Sequence, residues 1–227
     1  MTQDQSKLLA AKRATDLISD GMKVGLGTGT TSTFFIKELG KRVRSGLRIT
    51  AIATSAESAK LATEQGIELT NFDDSPVLDV NVDGADEIGP GLSLIKGGHG
   101  ALLREKIIAS AAKKFVVIAD ESKIVSTLGK FPLPVEVIQL AKPLVYRKLL
   151  DLGLNPMLRL VANGAVPWQT DEGNFILDCH CGSIQDPEKT AAEIRGIIGV
   201  VEHGLFLRMA SMALIAGQDG VREVHPS

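Results

Sequence analysis

Apolar residues first recur at helical spacing over residues 5–18, where Leu8, Leu9, Ala11, Ala14, Leu17 and Ile18 share a face, and Asp20-Gly21 then stops the run. A short apolar stretch at 22–26 meets the loop Gly27-Thr28-Gly29-Thr30-Thr31-Ser32, after which 34–43 resumes helical periodicity. The pattern predicts strand, glycine loop and helix. Residues 49–53 read as the next strand, 56–65 as a helix and 67–71 as another strand. The apolar run at 77–82 leads into Asp83, 101–113 is helical, and 115–119 is a further buried strand. Strands alternating with helices predict an α/β fold with a mostly parallel, doubly wound sheet.

The alternation breaks at Lys130-Phe131-Pro132-Leu133-Pro134. Two prolines two residues apart oppose regular helix and limit ladder donors, so a domain boundary is expected there. Beyond it come a helical run at 144–152, two alternating segments around the turn Asp171-Glu172-Gly173-Asn174, a capped helix from Asp186-Pro187 and a strand near Val200-Val201. A hairpin with helices predicts a small α+β domain. Residues 213–216 and 221–224 are expected to return to the first sheet. The expected division is therefore 1–130 with 203–227 for the larger domain and 131–202 for the smaller.

Composition narrows the function classes. The chain has 227 residues and a formal net charge of −2, enough length for a sizeable core and no global basic field for nucleic acid. A small phosphorylated ligand is still accessible, because one or two placed lysines suffice for it. No apolar run approaches the roughly 18 residues of a spanning helix. The start, Met1-Thr2-Gln3-Asp4-Gln5, lacks a basic n-region and an apolar h-region. A soluble, unexported, cytoplasmic chain without a membrane partner is expected. Cys179 and Cys181 flank His180 in an alternating segment, and with His203 they would make a conceivable metal site. Their spacing matches none of the usual zinc patterns, so reduced structural thiols and no metal are expected.

The first glycine loop does not read as a dinucleotide site. Gly27-x-Gly29-x-x-Ser32 lacks the third glycine, and the second strand ends in Thr54-Ser55 where an acidic residue would take the ribose hydroxyls. Nor is it a P-loop, because no Lys-Ser or Lys-Thr follows at the required spacing. What remains is backbone N–H groups and the hydroxyls of Thr28, Thr30, Thr31 and Ser32 at a helix N-terminus, which suit a phosphate group or simply cap the helix.

A second cluster carries proton chemistry. Asp83-Gly84-Ala85-Asp86-Glu87 is followed by Lys96-Gly97-Gly98-His99-Gly100 and then by Arg104-Glu105-Lys106. A carboxylate can abstract a proton, a lysine can hold an oxyanion, and glycine backbone approaches a ligand closely. Glu105 sits early in its helix between two cations, which favours the ionised form that a base needs. Asp83 and Asp86 lie at a strand's carboxyl end, where ligands bind in open α/β sheets. Lys123, after the strand ending Ala119-Asp120, is placed to reach the same crevice or to be an exposed loop lysine. Lys7 is expected on the surface unless the fold brings it near the phosphate.

Taken together, Gly27-Thr28-Gly29-Thr30-Thr31, Val82-Asp83-Gly84-Ala85-Asp86-Glu87-Ile88, Ile95-Lys96-Gly97-Gly98, Leu103-Arg104-Glu105-Lys106-Ile107-Ile108 and Leu128-Gly129-Lys130-Phe131-Pro132-Leu133-Pro134-Val135-Glu136 resemble the ribose-5-phosphate isomerase A family, in order and over essentially the whole chain. The resemblance implies a Rossmann-like domain with a smaller α+β, ferredoxin-like domain, assembled as a homodimer or a dimer of dimers. It implies a reversible aldose–ketose conversion of ribose 5-phosphate to ribulose 5-phosphate in the pentose phosphate pathway, without metal or organic cofactor. By the same carry-over Glu105 shuttles a proton between C2 and C1 through a cis-enediol(ate), and Lys96 with the N–H groups of Gly97, Gly98 and His99 stabilises the oxyanion. Asp83, Gly84, Ala85 and Asp86 hold the sugar, with Asp83 helping to open the furanose ring. Thr28, Gly29, Thr30, Thr31 and Lys123 bind the phosphate.

One position departs from the family pattern. His99 stands where a third small residue usually follows Lys-Gly-Gly, and a left-handed backbone there would fit histidine poorly. Its imidazole either points to solvent, with only its N–H serving substrate, or enters the crevice as an auxiliary proton carrier. Two other functions fit the scaffold. An amino-sugar phosphate deaminase would release ammonia from glucosamine 6-phosphate. A non-catalytic sugar-phosphate sensor is expected to carry a helix-turn-helix module, for which the residues ahead of the first strand near Met22 leave no room, and would not need Glu105.

Overall fold

Capped by Thr2, the first helix starts at Gln3, two residues before the apolar periodicity suggests, because the Thr2 hydroxyl accepts from the Gln5 N–H while the Gln5 side chain accepts from the Thr2 N–H. That reciprocal pair satisfies two donors a helix start otherwise leaves orphaned. In the computed structural model, which describes residues 1–162 and 164–226, the helix α1 (Gln3–Thr15) is followed by β1 (Lys23–Leu26), α2 (Thr30–Arg44), β2 (Thr50–Ala53), α3 (Ala56–Glu64), β3 (Glu68–Leu69) and β4 (Val80–Asp83). Next come β5 (Glu87–Ile88), β6 (Leu94–Ile95), α4 (Leu102–Ala111), β7 (Phe115–Asp120), β8 (Leu133–Val137) and α5 (Lys142–Asp151). The remaining elements are β9 (Pro156–Leu158), β10 (Phe175–Cys179), α6 (Pro187–Arg195), β11 (Val200–His203), β12 (Leu205–Phe206), β13 (Met212–Gly217) and β14 (Gly220–Val224).

The residues form two compact units. The first comprises Met1–Ala85, Arg104–Lys123 and Arg208–Ser227. Its seven-stranded sheet has the order β14-β13-β7-β4-β1-β2-β3, parallel throughout except for β14, which pairs antiparallel with β13. As expected, the C-terminal strands join this sheet. Strand order runs outward in opposite directions from β1 and β4, which pair with Leu26 beside Val82. That junction is the topological switch point, where the loops leaving two adjacent strands part and open a crevice. Val24, Leu26, Val80, Val82, Val116 and Ile118 turn one face of the sheet toward Phe35, Ile36 and Leu39 of α2 and toward Ala10, Ala11 and Ala14 of α1. The alanines let α1 lie close. Full burial of Phe35 alone contributes roughly 1.5–3 kcal/mol. On the other face Ile108 of α4 packs with Ile52 and Leu78.

The second unit comprises Asp86–Leu103 and Ile124–Leu207. Its four-stranded antiparallel sheet, in the order β11-β8-β10-β9, carries α5 and α6 in the chain order strand, helix, strand, strand, helix, strand. This is the ferredoxin-like arrangement. Pro132 and Pro134 do not end regular structure, since Pro134 enters the central strand β8 opposite Asp178 and its carbonyl accepts from Gly204 N at 2.8 Å. Near a strand's start, proline's missing donor costs only one ladder bond. A three-stranded sheet, β12-β6-β5, was not anticipated, because two-residue strands carry no readable period. The pairing of β5 and β6 with β12 places 86–103 in the second unit, a segment expected with the first. The carboxylate of Glu87, 4 % exposed, anchors the same segment by accepting from Gly129 N at 2.7 Å and Phe131 N at 2.6 Å.

Cys179 lies inside the second core and Cys181 is partly buried, both as free thiols. Burial, which penalises the thiolate, is the first cause of both shifts: it pushes the Cys179 thiol far up, with the nearby Cys181 and Asp178 adding to it, and raises Cys181 to about 11. At pH 8 only about one Cys181 in a thousand is then ionised. An aromatic disulfide reagent should modify native Cys181 slowly at pH 8 and about tenfold faster per pH unit above it, with Cys179 reacting only after unfolding. Prompt reaction of both thiols at pH 8 would contradict their burial.

Candidate active site

The carboxyl ends of β1 and β4 are joined through Asp83. This side chain is fully buried, and its Oδ1 accepts from Thr28 N at 3.1 Å, Ser32 Oγ at 3.1 Å and Gly84 N at 2.7 Å. One carboxylate oxygen thus fixes the glycine loop, the first turn of α2 and the start of its own loop. Gly27 is required by this arrangement, since a Cβ there would fall 2.0 Å from Asp83 Oδ1. Gly29 caps α2 at φ 95°, a conformation suited to glycine, and no side chain caps the helix there.

Thr28 is turned inward. Its hydroxyl hydrogen bonds to Thr54 Oγ1 at 2.6 Å and donates to Ser55 Oγ at 2.8 Å. Ser55 donates onward to Ser58 at 3.1 Å, and Ser58 Oγ donates to the Gly27 carbonyl at 2.7 Å. The only order of donors that ends on a carbonyl runs Thr54, Thr28, Ser55, Ser58, Gly27. Such chains reinforce each bond by polarisation and fix every proton. Along the sequence Thr54-Ser55 marks only the absence of an acidic residue, and Ser58 belongs to no motif. The signal available was Ser55 three residues before Ser58, whose N–H it caps at 3.1 Å. Thr30 remains exposed and Thr31 half-buried at the start of α2.

Glu105 occupies the first turn of α4 and is 3 % exposed, and the following Lys106 is 8 % exposed. A solvated helix residue is therefore excluded for Glu105. Lys123 is half-buried at the end of a single 3-10 turn after β7. That turn is held by Asp120, which accepts from Ser122 N at 3.1 Å and from the Ser122 hydroxyl. Lys7, expected on the surface, has a side chain only 12 % exposed, with Nζ 3.7 Å from Asp4 Oδ1.

In the second unit Lys96 follows β6 and is 2 % exposed. Its N–H donates to Gly204 O at 2.9 Å, and its ammonium lies 5.5 Å from the ring centre of Phe206, where the ring face attracts a cation. Gly97 takes φ 100° and Gly100 takes φ 82°. Asp86 accepts from Gly98 N at 2.8 Å, and a Cβ at Gly98 would fall 2.6 Å from Asp86 Oδ1. Gly84 and Ala85, which follow Asp83 in the first unit, are half-buried.

The family profile of ribose 5-phosphate isomerase A (phosphoriboisomerase A) matches residues 50–220. A ribose-5-phosphate isomerase A of Roseiflexus castenholzii is 54% identical over 218 residues, covering 95% of this chain and 93% of that protein. The chain belongs to the ribose 5-phosphate isomerase A family. It is an isomerase. Among solved members, the Neisseria gonorrhoeae enzyme superimposes with a TM-score of 0.93 at 43% identity, covering 100% of this chain and 98% of that one. A D-ribose-5-phosphate isomerase in complex with phospho-erythronic acid gives 0.96 at 39% identity, covering 99% and 100%. No helix among the described residues is long and apolar enough to cross a membrane.

Against the family's usual small residue, His99 raises no backbone difficulty. It is absent from the non-glycine residues with left-handed φ, which are Leu92, Asn155 and Arg208, and it is exposed. The flanking Gly97 and Gly100 absorb the left-handed turns instead. His99→Gly should retain most activity. A fall in kcat beyond about tenfold, about 1.4 kcal/mol, would instead assign the imidazole a chemical role.

Proposed function

We propose that this chain interconverts D-ribose 5-phosphate and D-ribulose 5-phosphate through a cis-enediol(ate), with Glu105 as the base and without metal or organic cofactor. The observation that carries the proposal is Glu105 itself, a carboxylate buried in the first turn of a helix in a chain similar end to end to enzymes of this name. The relative solved with phospho-erythronic acid supports a phosphorylated sugar as ligand, since that compound joins a phosphate to a short hydroxylated acid.

In this reading Asp83 assists ring opening by moving a proton between the anomeric hydroxyl and the ring oxygen. Glu105 then removes the proton from C2 of the open-chain aldose, and the electron pair moves onto O1. Lys96 and loop N–H groups stabilise that oxyanion. Transfer of the O2 proton to O1 and return of the proton from Glu105 to C1 then complete the ketose and leave Glu105 ionised. The Gly98 N–H is engaged by Asp86, so the loop donors in this scheme are those of Gly97 and His99. Gly84, Ala85 and Asp86 line the sugar hydroxyls. Gly29, Thr30 and Thr31 at the start of α2, with Lys123, receive the phosphate, while Thr28 supports them from within. The reaction belongs to the pentose phosphate pathway and the cytoplasm, a reducing compartment that suits two free thiols.

Ribulose 5-phosphate formation should be unchanged by a chelator, and Glu105→Gln should lower kcat at least about a hundredfold with KM altered only a few-fold. A glutamine variant as fast as wild type removes Glu105 from the role of base; loss of activity with chelator removes the metal-free mechanism. We also propose at least a homodimer, with a tetramer as the alternative. Leu140 and Ile198, 92 % and 87 % exposed, offer apolar surface that a second copy would cover. Light scattering should give a solution mass of two or four chains; a monomer at micromolar concentration would overturn this.

A further inference from the structure

Arg159 follows β9 and belongs to none of the motifs above. Its guanidinium is shared among three groups of the second unit. Nε donates to Asp178 Oδ2 at 2.8 Å and Nη2 donates to Asp178 Oδ1, the fork-on-carboxylate geometry that only arginine provides. Nη1 donates to the carbonyl of Gly97 at 3.0 Å and to that of Gly98 at 3.2 Å. The face of the guanidinium lies 5.8 Å from the ring centre of Trp168, and the pair is only 15 % and 19 % exposed at Arg159 and Asp178. Backbone bonds lock this group in register, from Arg159 N to Ile176 O and from Trp168 N to Arg159 O, both at 2.9 Å. The Trp168 ring also closes against Gly100, where a Cβ would fall 2.0 Å from Trp168 Cη2.

A trans peptide directs its N–H opposite to its carbonyl. The Gly97–Gly98 peptide is therefore gripped at both ends, its carbonyl by Arg159 and its N–H by Asp86 at 2.8 Å. The Gly98–His99 peptide is gripped at its carbonyl, which directs the His99 N–H to the opposite side. Apart from the turn bond from Gly100 N to Gly97 O at 2.9 Å, three glycines in five residues leave these planes few restraints of their own. We propose that Arg159 is a positioning residue for the loop 96–100: anchored by Asp178 and Trp168, it holds the Gly97 and Gly98 carbonyls and so sets the direction of the His99 N–H and its stabilisation of an anionic intermediate. The proposal rests on the isomerase reading above for the identity of that intermediate.

Arg159→Lys keeps the charge and loses the planar fork. It is expected to lower kcat roughly ten- to hundredfold, the loss that a misplacement of about 1 Å produces, with KM within about threefold. Affinity for phospho-erythronic acid should fall by about the same factor as kcat, while affinity for inorganic phosphate stays within about twofold. Asp178→Asn should show the same split at smaller amplitude, and millimolar guanidinium should restore part of the kcat lost in Arg159→Ala. A purely structural ion pair would lower the melting temperature and weaken both ligands alike, without rescue; that outcome, or a kcat of Arg159→Lys within twofold of wild type, overturns the proposal. Should wild type fail to isomerise ribose 5-phosphate, the assigned reaction falls, and the contrast between the two ligands still decides the role of Arg159.

Discussion

Asp83 Oδ1 accepts hydrogen bonds from the loop after β1, from the first turn of α2 and from its own loop, and the arrangement at the carboxyl ends of β1 and β4 depends on that convergence. A buried carboxylate is costly unless its lone pairs are used, and here three donors use one oxygen. The same bonds determine what stands nearby. Gly27 has to lack a Cβ, Thr28 has to face inward, and the N-terminus of α2 is left without a side-chain cap at Gly29. A helix start uncapped by its own chain is where an anion is held best. Replacing Asp83 would therefore disturb both the proposed ring-opening group and the frame around the proposed phosphate position.

The second unit solves a related problem by different means. Its loop 96–100 contains three glycines and so cannot hold its own conformation through side chains. Charged groups at both ends of one peptide, Asp86 on the N–H and Arg159 on the carbonyl, supply the missing rigidity. Arg159 is held in turn by Asp178 on β10 and by the ring of Trp168. Glu87, at the start of the same stretch 86–103, ties it to Gly129 and Phe131 by accepting from both N–H groups. In both units, glycine-rich backbone is held by buried or partly buried charge, Asp83 in the first and Asp86 with Arg159 in the second.

Much of this was legible along the chain, and the reason is the length of the elements. Helices such as α2 and α5 span enough residues to show a period, and strands such as β7 and β13 enough to show an unbroken apolar run. The two-residue strands β5, β6 and β12 span none, so 86–103 was expected in the other unit. Pro132 and Pro134 signalled a break and instead led into the central strand β8, because their neighbours supply the ladder bonds that proline cannot. Lys7 looked like a surface residue because the covering of a side chain depends on which strand its helix meets. The imidazole of His99 is exposed, and the left-handed turns around it fall on Gly97 and Gly100.

The sequence by itself determined the two element patterns, the family, and the short motifs that carry Glu105, Lys96, Asp83 and the glycine loop. These are local properties, set by residue type and spacing within a few turns of chain. Only the tertiary structure decided that Thr28 serves a hydroxyl chain through Thr54, Ser55 and Ser58, and that Arg159, some sixty residues from Gly97 and Gly98, holds their carbonyls. A hydrogen bond across that separation exists only once β9 and β10 are paired and the glycine loop is laid against them. No spacing rule along the chain encodes it.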